Sequence, residues 1–381
     1  MKEVISQELC SGCGECAAVC PVHAITMQTG EKGFRVPRIN QSSCINCKKC
    51  INLCAIKNAS ALKLPEGIAF GAINLDDDVR KNSSSGGAFS ALGETFLSKG
   101  GVVYGAVSSD NVISHDEATT TTGLNKMRGS KYVQSNIEIV FSNIEAELNA
   151  GQRVLFSGTP CQCAAVKSYL AGKHINSDEL ILIDMVCHGV CSPLVFKDYI
   201  KFCNSRSSSS VIEHIFRSKV NGWRNHTEEN VLANGAIDYK SFDSQLFKSF
   251  FHSHYTLRES CFHCPFATPQ RVADITMADF WGLQQSIPTE YSPDGVSFLL
   301  ANSDKGRMLI KSAESKMRVF SAQIDDTEQP QLHQPSKKPE NVQQFWRDYE
   351  KGFKYVAVKY FHAGKIRRFL TDTIKKIIKV R

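Results

Sequence analysis

Eight cysteines fall between positions 10 and 54 as two copies of one spacing, Cys10-x2-Cys13-x2-Cys16-x3-Cys20 and Cys44-x2-Cys47-x2-Cys50-x3-Cys54. Thiols this dense leave few ways to fold, because each short loop must wrap whatever its sulfurs hold. The chain opens Met-Lys-Glu-Val-Ile-Ser-Gln-Glu-Leu-Cys, without the apolar stretch of a secretory signal. The expected compartment is therefore the reducing cytosol. There, clustered cysteines act as metal ligands more often than as disulfides. A chain of 381 residues can also bury a core without covalent staples.

The repeated spacing is that of bacterial two-cluster ferredoxins, where the fourth cysteine of each run ligates the other cluster. Cys10, Cys13, Cys16 and Cys54 are then expected to hold one 4Fe-4S cluster, and Cys44, Cys47, Cys50 and Cys20 the second. Pro21 follows the first quartet, whereas Ala55 stands in the matching place after the second. Four thiolates also suit tetrahedral zinc, which is the competing reading.

Beyond the quartets the pattern changes. Strand-like runs at 102–107, 153–157 and 180–186 alternate with helical stretches, as in a mixed α/β domain. One helix is expected within 85–99, with Phe89, Leu92, Phe96 and Leu97 on a face. Residues 65–78 read as a link, the serine-rich 205–210 as an exposed loop, and 328–340, with three prolines, as an extended connector. In the last segment Ile366, Phe369, Leu370, Ile374, Ile377 and Ile378 recur at helical spacing opposite basic residues. The expected division is 1–65, 78–325 and 326–381.

Most of the net charge of +7 sits in 365–381, where Asp372 is the lone acid among Lys365, Arg367, Arg368, Lys375, Lys376, Lys379 and Arg381. The remainder is close to neutral, so no nucleic-acid-binding surface is indicated. The basic segment suits either an anionic membrane surface or a protein partner. No apolar run is long enough to span a bilayer.

Several motifs of the larger region carry chemistry. Ser84-Ser85-Gly86-Gly87 runs into a helix, an arrangement that can present backbone N–H groups to a phosphate and that serves equally as a plain cap. Ser157-Gly158-Thr159-Pro160-Cys161 reads as strand, turn and helix start, with Thr159 as the cap and Cys161 in the first turn, where the dipole favours a thiolate. Cys187-His188-Gly189 ends another strand, and Cys261-x2-Cys264 adds a pair. Four thiols at element ends can converge on one metal. Asp274 and Asp279 are read as turn caps or salt-bridge partners in preference to an acid–base pair. Lys219, Trp223 and Arg224 fit an anion-binding edge or a solvated loop around one buried tryptophan.

The chain resembles the family of coenzyme F420 hydrogenase/dehydrogenase beta subunits, in its bacterial form with a fused ferredoxin module. The matching stretches run in order: Ser84-Ser85-Gly86-Gly87, Val103-Tyr104-Gly105-Ala106, Gly129-Ser130-Lys131-Tyr132, Gly158-Thr159-Pro160-Cys161-Gln162, Cys187-His188-Gly189, Phe216-Arg217-Ser218-Lys219, Cys261-x2-Cys264 and Asp279-Phe280-Trp281-Gly282. Ala278 stands where the family usually has glycine. The resemblance implies a FAD and a third 4Fe-4S cluster, whose ligands map onto Cys161, Cys187, Cys261 and Cys264. Cys163, Cys191 and Cys203 are left as buried thiols. Ser84, Ser85, Gly86 and Gly87 are expected at the flavin phosphates, with Tyr104, Lys131 and Gly158 nearer the ring. Lys131 and His188 are the catalytic candidates, the first for charge on the reduced ring and the second for a proton, although a histidine at a strand end is more often hydrogen-bonded structure.

The fold expected is therefore mixed α/β: an N-terminal two-cluster ferredoxin domain, a flavin-binding α/β domain and a C-terminal amphipathic helix. The expected function is an FAD- and 4Fe-4S-dependent oxidoreductase acting on F420 or another reducible organic substrate, with a ferredoxin-like carrier as partner. It would be cytoplasmic or peripheral at the inner membrane face. The alternative is an electron-transfer component or scaffold of a larger complex, as in the gene clusters for cell-surface polysaccharide in which some relatives occur.

Overall fold

The computed structural model describes residues 3–364; the basic helix expected after 364 lies outside the described residues. Near the N-terminus β1 (Ile25–Thr29) pairs antiparallel with β2 (Arg35–Ile39), and the two cysteine loops lie on either side of this hairpin. The main sheet is built from β3 (Ile68–Asn74), β4 (Val102–Ser109), β5 (Val112–Ala118), β6 (Val154–Gly158) and β7 (Leu180–Met185). A separate antiparallel sheet follows, of β8 (Val211–Ser218), β9 (Thr227–Leu232) and β10 (Ile237–Asp238). The chain then returns to the main sheet with β11 (Ile275–Asp279), β12 (Ser297–Ala301) and β13 (Met317–Ser321).

The main sheet runs β13-β3-β12-β11-β7-β6-β4-β5. Its middle strands, β11, β7, β6 and β4, are mutually parallel, while β5, β12, β3 and β13 are antiparallel to their neighbours. Parallel strands are covered on both faces, so they read as unbroken apolar runs. Thus Val154, Phe156, Leu180 and Leu182 enter one core, and Leu155, Ile181 and Ile183 the other. The first core holds the helices Val140–Asn149 and Pro160–Gly172; the second holds Ala88–Leu97, Thr121–Met127 and Asp304–Ser312. The small sheet anchors a third core rich in phenylalanine, which gathers Phe196, Phe216, Phe247, Phe250 and Phe345.

The N-terminal module is continuous with the first core: Val4, Val19, Ile25, Ala55 and Ala59 pack in the same cluster as Phe141, Phe156 and Tyr169. Polar contacts fix its orientation. Lys167 Nζ donates to the Leu62 carbonyl at 2.9 Å, Gln134 Nε2 to the Ser11 carbonyl at 3.0 Å, and Arg35 pairs with Glu138.

Two expectations need correction. The segment 65–78 is not a link, since it contains β3, which sits between β12 and β13. Its Gly71 hid the strand: the Phe320 ring of β13 lies where a Cβ would stand, so glycine is required there despite its poor strand propensity. Residues 328–340 are also packed in part, with Leu332 fully buried and a short 3-10 turn at Pro330–Leu332. Beyond them the helices Val342–Tyr349 and Phe353–Phe361 close the phenylalanine-rich core, which the sequence reading did not foresee.

The helix expected within 85–99 spans Ala88–Leu97 and is buried on most sides, with Ala88, Ala91, Leu92 and Phe96 at 1% exposure or less. The exposed turn at 205–210 follows the helix Pro193–Asn204.

Candidate functional site

Both quartets wrap their cavities with the same backbone device. In the first loop Gly12 (φ 67°) and Gly14 (φ 87°) are left-handed; at the matching places of the second stand Asn46 (φ 58°) and Lys48 (φ 60°). Asparagine tolerates that region, and lysine enters it at a cost that the surroundings must offset. The turns bring Cys10, Cys13, Cys16 and Cys54 around one cavity and Cys20, Cys44, Cys47 and Cys50 around another. Where the first quartet ends in Pro21, which has no N–H, Ala55 brings a buried donor. The carboxylate of Glu15, 1% exposed, accepts it at 2.9 Å. Burial lifts the Glu15 carboxyl to about 7.

A third cavity is lined by Cys161, Cys187, Cys261 and Cys264. Cys161 lies in the first turn of the helix Pro160–Gly172, which Thr159 and Gln162 close with a capping box. The Thr159 hydroxyl lies 3.2 Å from the Cys161 sulfur. Cys187 follows β7, and Cys261 and Cys264 lie in and just after the 3-10 turn Glu259–His263. Burial raises the Cys161 thiol despite its place at a helix start, so desolvation outweighs the dipole in the bare protein. Burial, and then the neighbouring cysteines, push Cys187 far up. Burial also takes Cys261 to about 12 and Cys264 to about 11.

Cys163, Cys191 and Cys203 lie apart from this cavity and are buried, the first two with no exposure. Among the described residues no three His, Cys, Asp or Glu side chains converge tightly enough for a lone ion. Each set of four thiols lines a cavity.

The first and third cavities share a wall, since Gly12 and Cys13 line both. Arg258 lines the third cavity and reaches the backbone of the first quartet. It is 4% exposed, its Nε donates to the Cys10 carbonyl at 2.7 Å, and its Nη1 reaches Gln134 Oε1 at 3.4 Å. Its guanidinium carbon lies 5.3 Å from the Phe34 ring centre. Among the described residues no carboxylate pairs with it. A buried cation without a counter-charge is costly. Anionic thiolate-bound clusters in the two adjoining cavities would supply that charge, so the residues present fit the cluster that the thiols suggest. Gly12 makes room for it, because a Cβ there would stand 2.7 Å from Arg258 Nη1.

The flavin candidates divide. Ser84 Oγ accepts from Ser130 N at 2.8 Å, and Ser85 Oγ donates to the Val296 carbonyl at 2.8 Å. Gly87 (φ 81°) caps the helix Ala88–Leu97. A Cβ on Gly86 would collide with the Ala72 carbonyl and the Ser297 amide. The loop 84–87 and the segment carrying Lys131 therefore adjoin. Lys131 Nζ donates to the carbonyls of Met127 at 2.9 Å and Arg128 at 3.0 Å, closing the end of the helix Thr121–Met127, and burial lowers it to about 7. Gly158 ends β6.

Tyr104 does not join this group. Its ring is buried among Phe141 and Phe156 on the opposite sheet face from the helix Ala88–Leu97, and its hydroxyl donates to Glu117 at 3.0 Å. His188 is anchored through its carbonyl, which accepts from Ser336 Oγ, and burial lowers its ring to about 4.

Asp279 is a salt-bridge partner, as expected, and the sequence reading missed only that Arg217 and Trp223 are what it holds. Arg217 Nη1 donates to Asp279 Oδ2 at 2.9 Å, Trp223 Nε1 to Asp279 Oδ1 at 2.8 Å, and Trp223 stacks on Trp281 with ring centres 4.8 Å apart. Nearby, His226 and His252 share a 2.8 Å hydrogen bond. The sequence signals for this assembly were the salt-bridge reading of Asp279, the expected burial of Trp223, which is 2% exposed, and the ordered family stretches. Asp274 is structural: it accepts from Leu182 N at 2.8 Å and Ser303 Oγ at 2.6 Å. Lys219 Nζ donates to the carbonyls of Arg80, Ser85 and Asp294.

Comparison with known proteins places two family matches on this chain. Residues 151–327 match the family described as the C terminus of the coenzyme F420 hydrogenase/dehydrogenase beta subunit, and residues 9–58 match the 4Fe-4S dicluster domain. The F component of the F(420)H(2) dehydrogenase of Methanosarcina mazei is 24% identical over 204 residues, covering 49% of this chain and 55% of the relative. Ferredoxin-1 of Rhodobacter capsulatus is 37% identical over 60 residues, covering 14% of this chain and 85% of the ferredoxin. The chain thus spans about half the length of the first of these relatives. A chain of the F420-reducing NiFe hydrogenase complex from Methanosarcina barkeri aligns in structure with a TM-score of 0.49 at 16% identity, covering 77% of this chain and 94% of that one.

Proposed function

The chain belongs to the family of coenzyme F420 hydrogenase/dehydrogenase beta subunits and carries a 4Fe-4S dicluster domain, and from that premise we propose that it is an iron–sulfur flavoprotein oxidoreductase. Its substrate would be a soluble two-electron organic donor or acceptor of the F420 type or another reducible compound. The observation that carries this reading is the row of three cysteine-lined cavities, in which the dicluster module opens directly onto the cavity of Cys161, Cys187, Cys261 and Cys264. A bare electron carrier has no use for a third site embedded in a large α/β domain.

The residues divide the work by position. The eight N-terminal cysteines would hold two clusters, and Cys161, Cys187, Cys261 and Cys264 a third. Cys161 and Cys187 lie just past the carboxyl ends of β6 and β7, the edge at which open α/β sheets bind their ligands. The loop 84–87 would hold flavin phosphates, because Gly86 brings backbone close to the neighbouring strands and Gly87 opens a helix. Bound FAD would exchange two electrons with the organic substrate and pass them on singly. Lys131, released from the carbonyls it now caps, would set positive charge against the ring, and His188 would hold a proton at the same edge. Near neutrality His188 is uncharged, so it would accept the proton before giving it up.

Anaerobic purification followed by iron, acid-labile sulfide and flavin analysis tests this. About twelve irons and one FAD per chain are expected. About eight irons with no flavin would leave an electron carrier or scaffold and end the enzyme reading.

A further inference from the structure

The second quartet holds the one exposed cysteine among the twelve candidate ligands. Cys47 is exposed and Cys50 buried, whereas Cys161, Cys187, Cys261 and Cys264 are all half-buried. Around its cavity stand Val22 at 39% and Ile45 at 62% exposure, two apolar side chains left to solvent beside a candidate redox centre. Lys48 and Lys49 follow Cys47 directly. Neither segment that builds the cavity, 20–26 or 40–52, contains an Asp or Glu, and Glu31 is the sole acid between residues 16 and 65. A rim of one charge sign steers encounter with a partner of the opposite sign.

We propose that this face is the docking site for a small acidic one-electron carrier protein, and that electrons enter or leave the chain through the cavity of Cys20, Cys44, Cys47 and Cys50. The proposal rests on the reading that the N-terminal quartets hold clusters, and not on the flavin. In each encounter one electron crosses: the reduced carrier is oxidised by one electron, the cluster is reduced by one, and no proton need move. Two encounters match one two-electron conversion at the far end of the row. The positive rim raises the encounter rate, and the apolar centre excludes water at contact.

The test uses the full-length holoprotein and, as probe, a reduced acidic plant-type 2Fe-2S ferredoxin, whose absorbance and EPR signal differ from those of 4Fe-4S clusters. Stopped-flow oxidation of the probe should slow as salt rises from about 20 mM to about 500 mM. The double variant Lys48→Glu/Lys49→Glu should lose about tenfold in rate at low salt. Ile45→Glu should slow the reaction as well, and Lys311→Glu on the main domain should leave it unchanged.

Reduction by dithionite, read as the 4Fe-4S EPR signal, should be the same in every variant. A rate indifferent both to salt and to Lys48→Glu/Lys49→Glu, with the cluster signal intact, would overturn the proposal, as would an equal loss in Lys311→Glu. A protein lacking flavin but keeping its N-terminal clusters would still give the expected result, so the two readings fail separately.

Discussion

Arg258 shows how one side chain can report on what its surroundings must contain. Its guanidinium is buried against neutral oxygens, one of them the Cys10 carbonyl, and an aromatic ring, beside the cavity of Cys161, Cys187, Cys261 and Cys264. Arg258→Met should therefore act with opposite signs in two states. In the metal-free protein it removes an uncompensated buried charge and should raise stability by about 1–3 kcal/mol, read as the urea midpoint. In the loaded protein it removes a cation beside electron-accepting anions and should lower the midpoint potentials of the adjoining clusters, read by EPR-monitored redox titration. Unchanged potentials in a fully loaded variant would mean that the cavities hold no such anions.

His115 gives a pH prediction. It is 5% exposed, its Nε2 donates to the Ser157 carbonyl at 2.9 Å, and it stacks on Phe156. Burial lowers it to about 4 from a usual value of 6.5. The unfolded chain therefore binds the proton first: the stabilising effect of a neutral His115 is complete above pH 6.5 and is lost as pH falls towards 4. Between pH 7.5 and 5.5 the native protein should lose about 1 kcal/mol more than His115→Gln. Equal losses in urea titrations at the two pH values would rule this out.

At the scale of elements, helix starts carry much of the site. The capping box of Pro160–Gly172 fixes the turn that presents Cys161. Thr159→Ala should cost about 1 kcal/mol and reduce loading of the third cavity, while Thr159→Ser should restore both, measured as thermal midpoint and iron content. The loop before Ala88–Leu97 is held more rigidly. Gly86→Ala drives a methyl into backbone of β3 and β12, so about 2 kcal/mol or more should be lost, and flavin retention with it. Retention of flavin at the native level would remove loop 84–87 from the binding set.

The quartet loops, the strand-turn-helix at Gly158–Cys161 and the cap at Thr159 were all legible, because each is set by neighbours within a few residues. β3 and the helices Val342–Tyr349 and Phe353–Phe361 were not. A glycine required by Phe320 masks the first, and the others follow a proline-rich stretch whose buried side chains, Leu332 and Ser336, fill gaps made elsewhere.

Over the whole molecule the N-terminal module and the α/β region share a core, so the boundary expected near residue 65 is not a boundary of packing. A chain lacking residues 1–65 should expose Phe141, Tyr169 and their neighbours, bind a hydrophobic dye and unfold without a cooperative transition; sharp, dye-free melting would show independent domains.

The sequence by itself determined which thiols form runs and where helices begin, and it also carried the family likeness. These depend on spacing along the chain and on hydrogen bonds over a few residues. Only the tertiary structure decided that Arg258 stands against Cys10, that Cys13 faces two cavities, and that Tyr104 turns away from the loop 84–87. The physical reason is the same in each case. A central parallel strand is apolar on both faces, so its alternation does not say which core a side chain enters. A contact between residues more than two hundred positions apart is fixed by the packing of the whole fold, and no local pattern encodes it.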